Sequence, residues 1–189
     1  MTRKLGMIAE DESDVGVIDI LIQKIVQHRK YTIKRFLGHG CGKIRSKCNA
    51  WANNLRQQDC TVLILVHDSD SNNPTQLKRD IETALAPCPI QYNIIVIPVR
   101  EIEAWLLSDH GAIQRAIGLK STLKQVTNPE AIHRPKEHLA QIVRQKSKGE
   151  KIYISTIHNK KIASEVHIKN LRRCQSFLPL ENFVYTHIR

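Results

Sequence analysis

Two hydrophobic periods alternate along the first hundred residues. Lys4–Ala9 and Thr61–His67 are nearly unbroken apolar runs, the pattern of strands covered on both faces. Tyr31–Leu37 alternates with a period of two and predicts another strand, and Ile90–Val99 predicts a fourth that closes on Pro98. Between them, Val15, Ile18, Leu21, Ile22, Ile25 and Val26 recur at helical spacing, predicting an amphipathic helix over Val15–Gln27. Ile44–Gln57 predicts a second helix with Trp51 and Leu55 inward. Pro74–Ala86 predicts a third, its proline near the start, where a missing N–H is tolerated. Strands alternating with helices predict an α/β fold: a largely parallel four-stranded sheet with right-handed crossovers, flanked by helices.

Beyond residue 100 the pattern turns helical, at Glu101–Ser108, Gly111–Gly118 and Pro135–Lys146. A short strand is expected at Lys151–Ser155, followed by helical turns over Lys161–Cys174. No repeat or long linker interrupts the 189 residues. The expected organisation is a core over residues 1–110 carrying a basic, mostly helical extension over residues 111–189. Charge sharpens that division. Lys and Arg outnumber Asp and Glu by only 14 to 13 in residues 1–110, but by 15 to 5 in residues 111–189. So uneven a surplus suggests a polyanion partner, with nucleic acid foremost. The five cysteines form no C-x-x-C pair and read as reduced thiols of a cytoplasmic protein. No run is long enough for a membrane helix, and no leader precedes the first strand, so no membrane partner is expected.

The chemistry concentrates in carboxylates at strand ends. Glu10 closes the first apolar run, and Asp68 and Asp70 follow the third. Ligand sites of open α/β sheets gather at the strands' carboxyl ends. Acids crowded there repel unless a divalent cation neutralises them, and hard oxygen ligands suit Mg²⁺ or Mn²⁺. The two-residue spacing of Asp68 and Asp70 puts both on one side of an extended chain, with His67 directed away from them. Asp14, four residues after Glu10, is placed to point back toward it. The competing reading of Asp11, Glu12, Ser13 and Asp14 is a set of helix caps. The glycine-rich Gly38-His39-Gly40-Cys41-Gly42-Lys43 lacks Walker spacing, but offers amides and Lys43 to a single phosphate. Lys146, Lys148, Lys160, Lys161, Arg172 and Arg173 are further candidate phosphate contacts. The nine histidines show no metal-ligand spacing.

Glu10-Asp11-Glu12-Ser13-Asp14 followed by Asp68-Ser69-Asp70 resembles the TOPRIM signature, a glutamate after strand one and D-x-D after strand three. Asp11 stands where glycine is usual, and Asn72-Asn73 where glycine commonly follows D-x-D. Arg100-Glu101-Ile102-Glu103-Ala104-Trp105-Leu106-Leu107-Ser108-Asp109, Asn128-Pro129-Glu130 and Arg134-Pro135-Lys136-Glu137 extend the likeness. With them the chain resembles small stand-alone TOPRIM-like proteins related to the OLD-family nucleases. That resemblance implies a Rossmann-like fold and a Mg²⁺-dependent nuclease using Glu10, Asp68 and Asp70, with Asp14 and Glu103 as further metal ligands. It also implies an ATPase partner in prokaryotic genome defence, and leaves room for a homo-oligomer. The alternatives are a non-catalytic module binding nucleic acid or protein, and a ribonuclease acting on structured RNA such as tRNA. Primase and topoisomerase chemistry needs additional domains for which the chain has no room.

Overall fold

A computed structural model describes residues 3–27, 30–39 and 41–189. Strands β1 (Arg3–Ala9), β2 (Tyr31–Leu37), β3 (Val62–Val66) and β4 (Tyr92–Val96) form one parallel sheet in the order β2-β1-β3-β4. Leu5 sits opposite Ile33 on β2 and Val62 on β3. The helices between them are α1 (Glu12–Val26), α2 (Cys41–Gln57) and α3 (Pro74–Leu85). This is the α/β architecture expected from the hydrophobic pattern.

Because successive strand residues face opposite sides, each strand supplies two cores. Ile8, Leu63, Leu65 and Ile95 point toward Ile44, Leu55, Leu77 and Ile81 of α2 and α3. Leu5, Met7, Ile64, Val66 and Val96 point to the other side, where Ile18, Leu21 and Ile22 of α1 cover them. Gly6 admits α2 closely: a methyl group there would lie 3.0 Å from Leu55 Cδ1.

The chain continues through α4 (Glu103–Leu106), α5 (His110–Ile117), a 3₁₀ turn at Pro129–Ala131, α6 (Pro135–Lys146), α7 (Ser155–Glu165), α8 (Ile168–Leu171) and α9 (Leu178–His187). Gly118 ends α5 with φ of 68°, a left-handed cap that suits glycine. The second part is not a peripheral tail. Ile113, Ile162, Phe177 and Val184 belong to the same buried cluster as α1 and the sheet. The Trp105 and Phe177 rings, both fully buried, meet edge to face at 5.4 Å and 76°.

One expectation needs correction. Lys151–Ser155 forms no strand: residues 151–154 are irregular and Ser155 opens α7. The alternation is real, with exposed Ile152 and Ile154 around buried Tyr153, but no strand pairs with it. Helix α9 went unrecognised because only Leu180, Val184 and Ile188, four apart, mark its buried face, too sparse a stripe to announce a helix. Among the described residues no helix is long and apolar enough to cross a membrane.

Phe177→Ala should destabilise the whole chain by about 3–5 kcal/mol, seen in urea unfolding as one transition at lower midpoint. Two separated transitions would show that the second part folds by itself.

Candidate functional site

The strand order reverses between β1 and β3: the chain leaves β1 toward β2 and leaves β3 toward β4. Loops diverge at such a switch point and open a crevice at the carboxyl ends. Glu10 stands there directly after β1, and Asp68 two residues after β3. The Asp68 amide donates to Glu10 Oε1 at 3.2 Å, joining the two strand ends. The glycine-rich turn after β2 leans on the same place, with Gly38 N donating to Ala9 O and His39 N to Glu10 O, both at 2.9 Å. Gly40 of that turn lies outside the described residues.

His67 belongs to this cluster, contrary to the strand-alternation argument. Its buried ring puts Nδ1 3.0 Å from Glu10 Oε1 and 2.7 Å from the Asp68 carbonyl. Alternation does not reach it because β3 ends at Val66. For the same reason Asp68 and Asp70 do not share one face of an extended chain. Asp70 has φ of 47° and is exposed, whereas Asp68 Oδ1 is buried. Hydrogen bonds with the neighbouring loop set this turn: Ser69 N donates to Pro98 O at 3.1 Å, Asp70 N to Arg100 O at 2.8 Å, and Arg100 N to the Ser69 side-chain Oγ at 2.7 Å.

Asp11 and Asp14 divide the roles expected of the acidic turn. Asp11 caps α1, its carboxylate accepting from Ser13 N at 2.7 Å and Asp14 N at 3.1 Å, while Asp14 Oδ2 accepts from Asp11 N at 3.3 Å. This reciprocal capping box satisfies backbone donors that the first helical turn leaves unpaired. Asp11 has φ of −143°, a conformation open to any residue, so the position does not require glycine. Glu12 faces outward and pairs with Arg35 at 2.7 Å.

Glu103 opens α4 and is almost completely buried. Tyr153 Oη donates to its Oε1 at 3.0 Å and Asn159 Nδ2 at 3.1 Å. Asn159 also contacts the Tyr153 hydroxyl, and its Nδ2 donates to Ser13 Oγ at 3.1 Å. Ser13 Oγ lies 3.4 Å from the Ser155 carbonyl, to which it donates. Ser13, Tyr153 and Asn159 were not foreseen. Tyr153 stands between two isoleucines, whereas Ser13 and Asn159 lie in polar stretches that give no local signal.

These carboxylates act on one another. Burial, then the charges of Asp14, Glu103, Glu10 and Asp70, push the Asp68 carboxyl well above the usual range. Burial, then Asp11, Glu103 and Glu10, push Asp14 up to about 7. Asp70 is raised by burial and by Glu10, with His67 opposing. Asp68 Oδ1 is buried and, among the described residues, has no hydrogen-bond partner. An all-oxygen set, mutually repelling and holding one unsatisfied buried oxygen, fits a hard divalent cation. Among the described residues, however, no three His, Cys, Asp or Glu side chains are already grouped for ligation.

The basic candidates spread over several elements: Lys43 on α2, Lys146 on α6, Lys148 after it, Lys160 and Lys161 on α7, and Arg172 and Arg173 after α8. Arg172 is engaged by Glu181, with Nη2 donating to Oε1 at 2.9 Å and Nε to Oε2 at 3.0 Å. Lys160 lies along α1 over Gly16, its stem occupying the space a side chain there would need.

The folded chain holds the Asp14 proton at a pH where an unfolded carboxylate has lost it. That contribution is complete below about pH 4 and disappears as pH rises through about 7. Asp14→Asn keeps an oxygen for Asp11 N and removes the charge. In EDTA it should gain about 1–3 kcal/mol over the parent at pH 8 and almost nothing at pH 3, by urea unfolding. An equal gain at both pH values would refute the charge-burial account.

No curated protein and no solved structure matches the chain. A family model described as a domain of unknown function, DUF4276, matches residues 9–184, from the end of β1 to the last turns of α9. The chain therefore belongs to the DUF4276 family.

Proposed function

We propose that the chain is a metal-dependent nuclease hydrolysing phosphodiester bonds, with Glu10, Asp68 and Asp70 holding Mg²⁺ or Mn²⁺ and Asp14 and Glu103 beside them. One observation carries the reading: Asp68 Oδ1 is buried without a partner among the described residues, while four other carboxylates raise its pKa electrostatically. Such an arrangement costs folding free energy and gives nothing back unless a cation uses it. A divalent ion bound there would lower the pKa of a water and stabilise charge on a phosphate. The protein's own part is positional. The Asp68 amide holds Glu10, and Tyr153 and Asn159 hold Glu103. The likeness to TOPRIM proteins and the basic surplus of residues 111–189 favour nucleic acid as substrate. Work alongside an ATPase in genome defence follows from that likeness alone.

A second reading, a non-catalytic module that binds nucleic acid or protein, draws on the lack of three ready-grouped ligands among the described residues. Calorimetry with Mg²⁺ and Mn²⁺ separates the two.

Mg²⁺ should raise the melting temperature and support cleavage of DNA or RNA, with rates on duplex DNA, single strands and tRNA ranking the substrates. Asp68→Asn should abolish cleavage and the Mg²⁺-dependent rise, yet melt higher than the parent in EDTA at pH 8, because it removes a buried charge. Equal cleavage by both proteins would end the proposal, as would unaltered melting of the parent in Mg²⁺.

A further inference from the structure

The near-even charge of residues 1–110 hides a divide. Residues 20–58 hold nine Lys and Arg and no Asp or Glu, leaving five against thirteen in the rest of that part. From Tyr31 onward this acid-free stretch builds one flank of the sheet, edge strand β2 and helix α2. We propose that the flank binds a single nucleic-acid strand, with the phosphate backbone along α2 and an unpaired base against Trp51.

Helix α2 turns Ile44, Cys48, Ala52 and Leu55 into the core and leaves its other face to the solvent. Lys43 and Lys47, one turn apart, are exposed, and Trp51, a further turn on, is partly exposed. Residues four apart share a helix face, so the three form one row. The Trp51 ring lies parallel to that of Phe36 on β2, with centroids 5.6 Å apart, which joins helix and strand into one surface. Arg35 is engaged by Glu12, and Arg45 approaches Asp80 at 3.8 Å. Lys43 and Lys47 have no acidic partner among the described residues. Lys34 also keeps another strand from pairing with the free edge of β2; Lys43 and Lys47, on a helix, have no such duty. The turn before α2 ties the row to the crevice, since Gly38 N and His39 N donate to Ala9 O and Glu10 O.

This surface discriminates among occupants. Protein interfaces are poor in lysine and centre on apolar and aromatic side chains. The exposed large hydrophobic residues, Tyr92, Ile152, Ile154, Ile157 and Tyr185, all fall outside it. A helix that lies on a membrane inserts its apolar face, which α2 buries in the core. A lone phosphate needs donors that converge on it, whereas cations in a row suit repeated anions. A duplex keeps its base faces inside the stack, but a single strand offers phosphates to the lysines and a base to the indole together. That the strand held here is the one cut in the crevice rests on the nuclease reading; its binding does not.

The chain has two tryptophans, and Trp105 is fully buried, so quenching of tryptophan emission reports on Trp51. Titrated into the full chain in EDTA, an oligothymidylate should quench that emission, and a blunt duplex of equal length should not. Lys43→Gln combined with Lys47→Gln should leave the melting temperature unchanged. It should weaken oligothymidylate binding about tenfold or more at about 0.1 M salt, and make the slope of log K on log salt about 1.4 shallower. Lys146→Gln combined with Lys148→Gln removes the same charge elsewhere and should leave both quantities nearly unchanged. Equal weakening by the two double variants would reduce the effect to net charge and overturn the proposal. An oligothymidylate that binds without quenching Trp51 would overturn it too, as would a duplex that quenches equally. Binding on this flank without any metal-dependent cleavage would leave the surface standing and remove the nuclease reading. Cleavage with Trp51 silent and the Lys43/Lys47 variant unimpaired would do the reverse.

Discussion

Mutual repulsion among carboxylates at the carboxyl ends of β1 and β3 is the constraint around which the rest of the molecule is arranged. Asp14 and Glu103 are nearly buried, and one oxygen of Asp68 meets no hydrogen-bond donor among the described residues. In a medium of reduced dielectric such charges would push their supports apart. They stay because their backbone supports are fixed by hydrogen bonds. Glu10 is held through the His39 and Asp68 amides, Asp68 and Asp70 by the paired loop from Pro98 to Arg100, and Asp14 by the capping box of α1. The sheet supplies stiffness and the loops supply aim.

The second part of the chain changes meaning in this light. By composition it is a basic surface. In the fold it is also the back wall of the acidic crevice, since Tyr153 and Asn159 donate to Glu103 and Asn159 reaches Ser13 on α1. Its apolar side chains complete the core over one face of the sheet. Even charged side chains there do framing work: Glu130 accepts from Gln175 N at 2.8 Å and Ser176 N at 3.1 Å, fixing the turn that leads to Phe177.

Most of the sheet and the first three helices were legible because burial on both faces leaves an unmistakable apolar run, and helix faces repeat every three to four residues. Glu10, Asp14 and Asp68 could be singled out because strand ends and helix starts can be counted along the chain, whereas Glu103 was singled out by the likeness to TOPRIM-like proteins. His67 was not, since alternation is a property of strands and β3 stops one residue earlier. Tyr153, Asn159 and Ser13 were not either, because hydrogen bonds spanning 50 to 146 residues leave no local trace.

The anchoring of Glu103 by Tyr153 and Asn159 has a consequence for vectorial synthesis. Residues 10 to 103 leave the ribosome well before residue 153, so a nascent chain already carries every acid of the cluster but lacks the donors that settle Glu103. Until the last third emerges and docks, Glu103 lacks both of these donors. The crevice thus matures late in translation, with its completion tied to completion of the hydrophobic core.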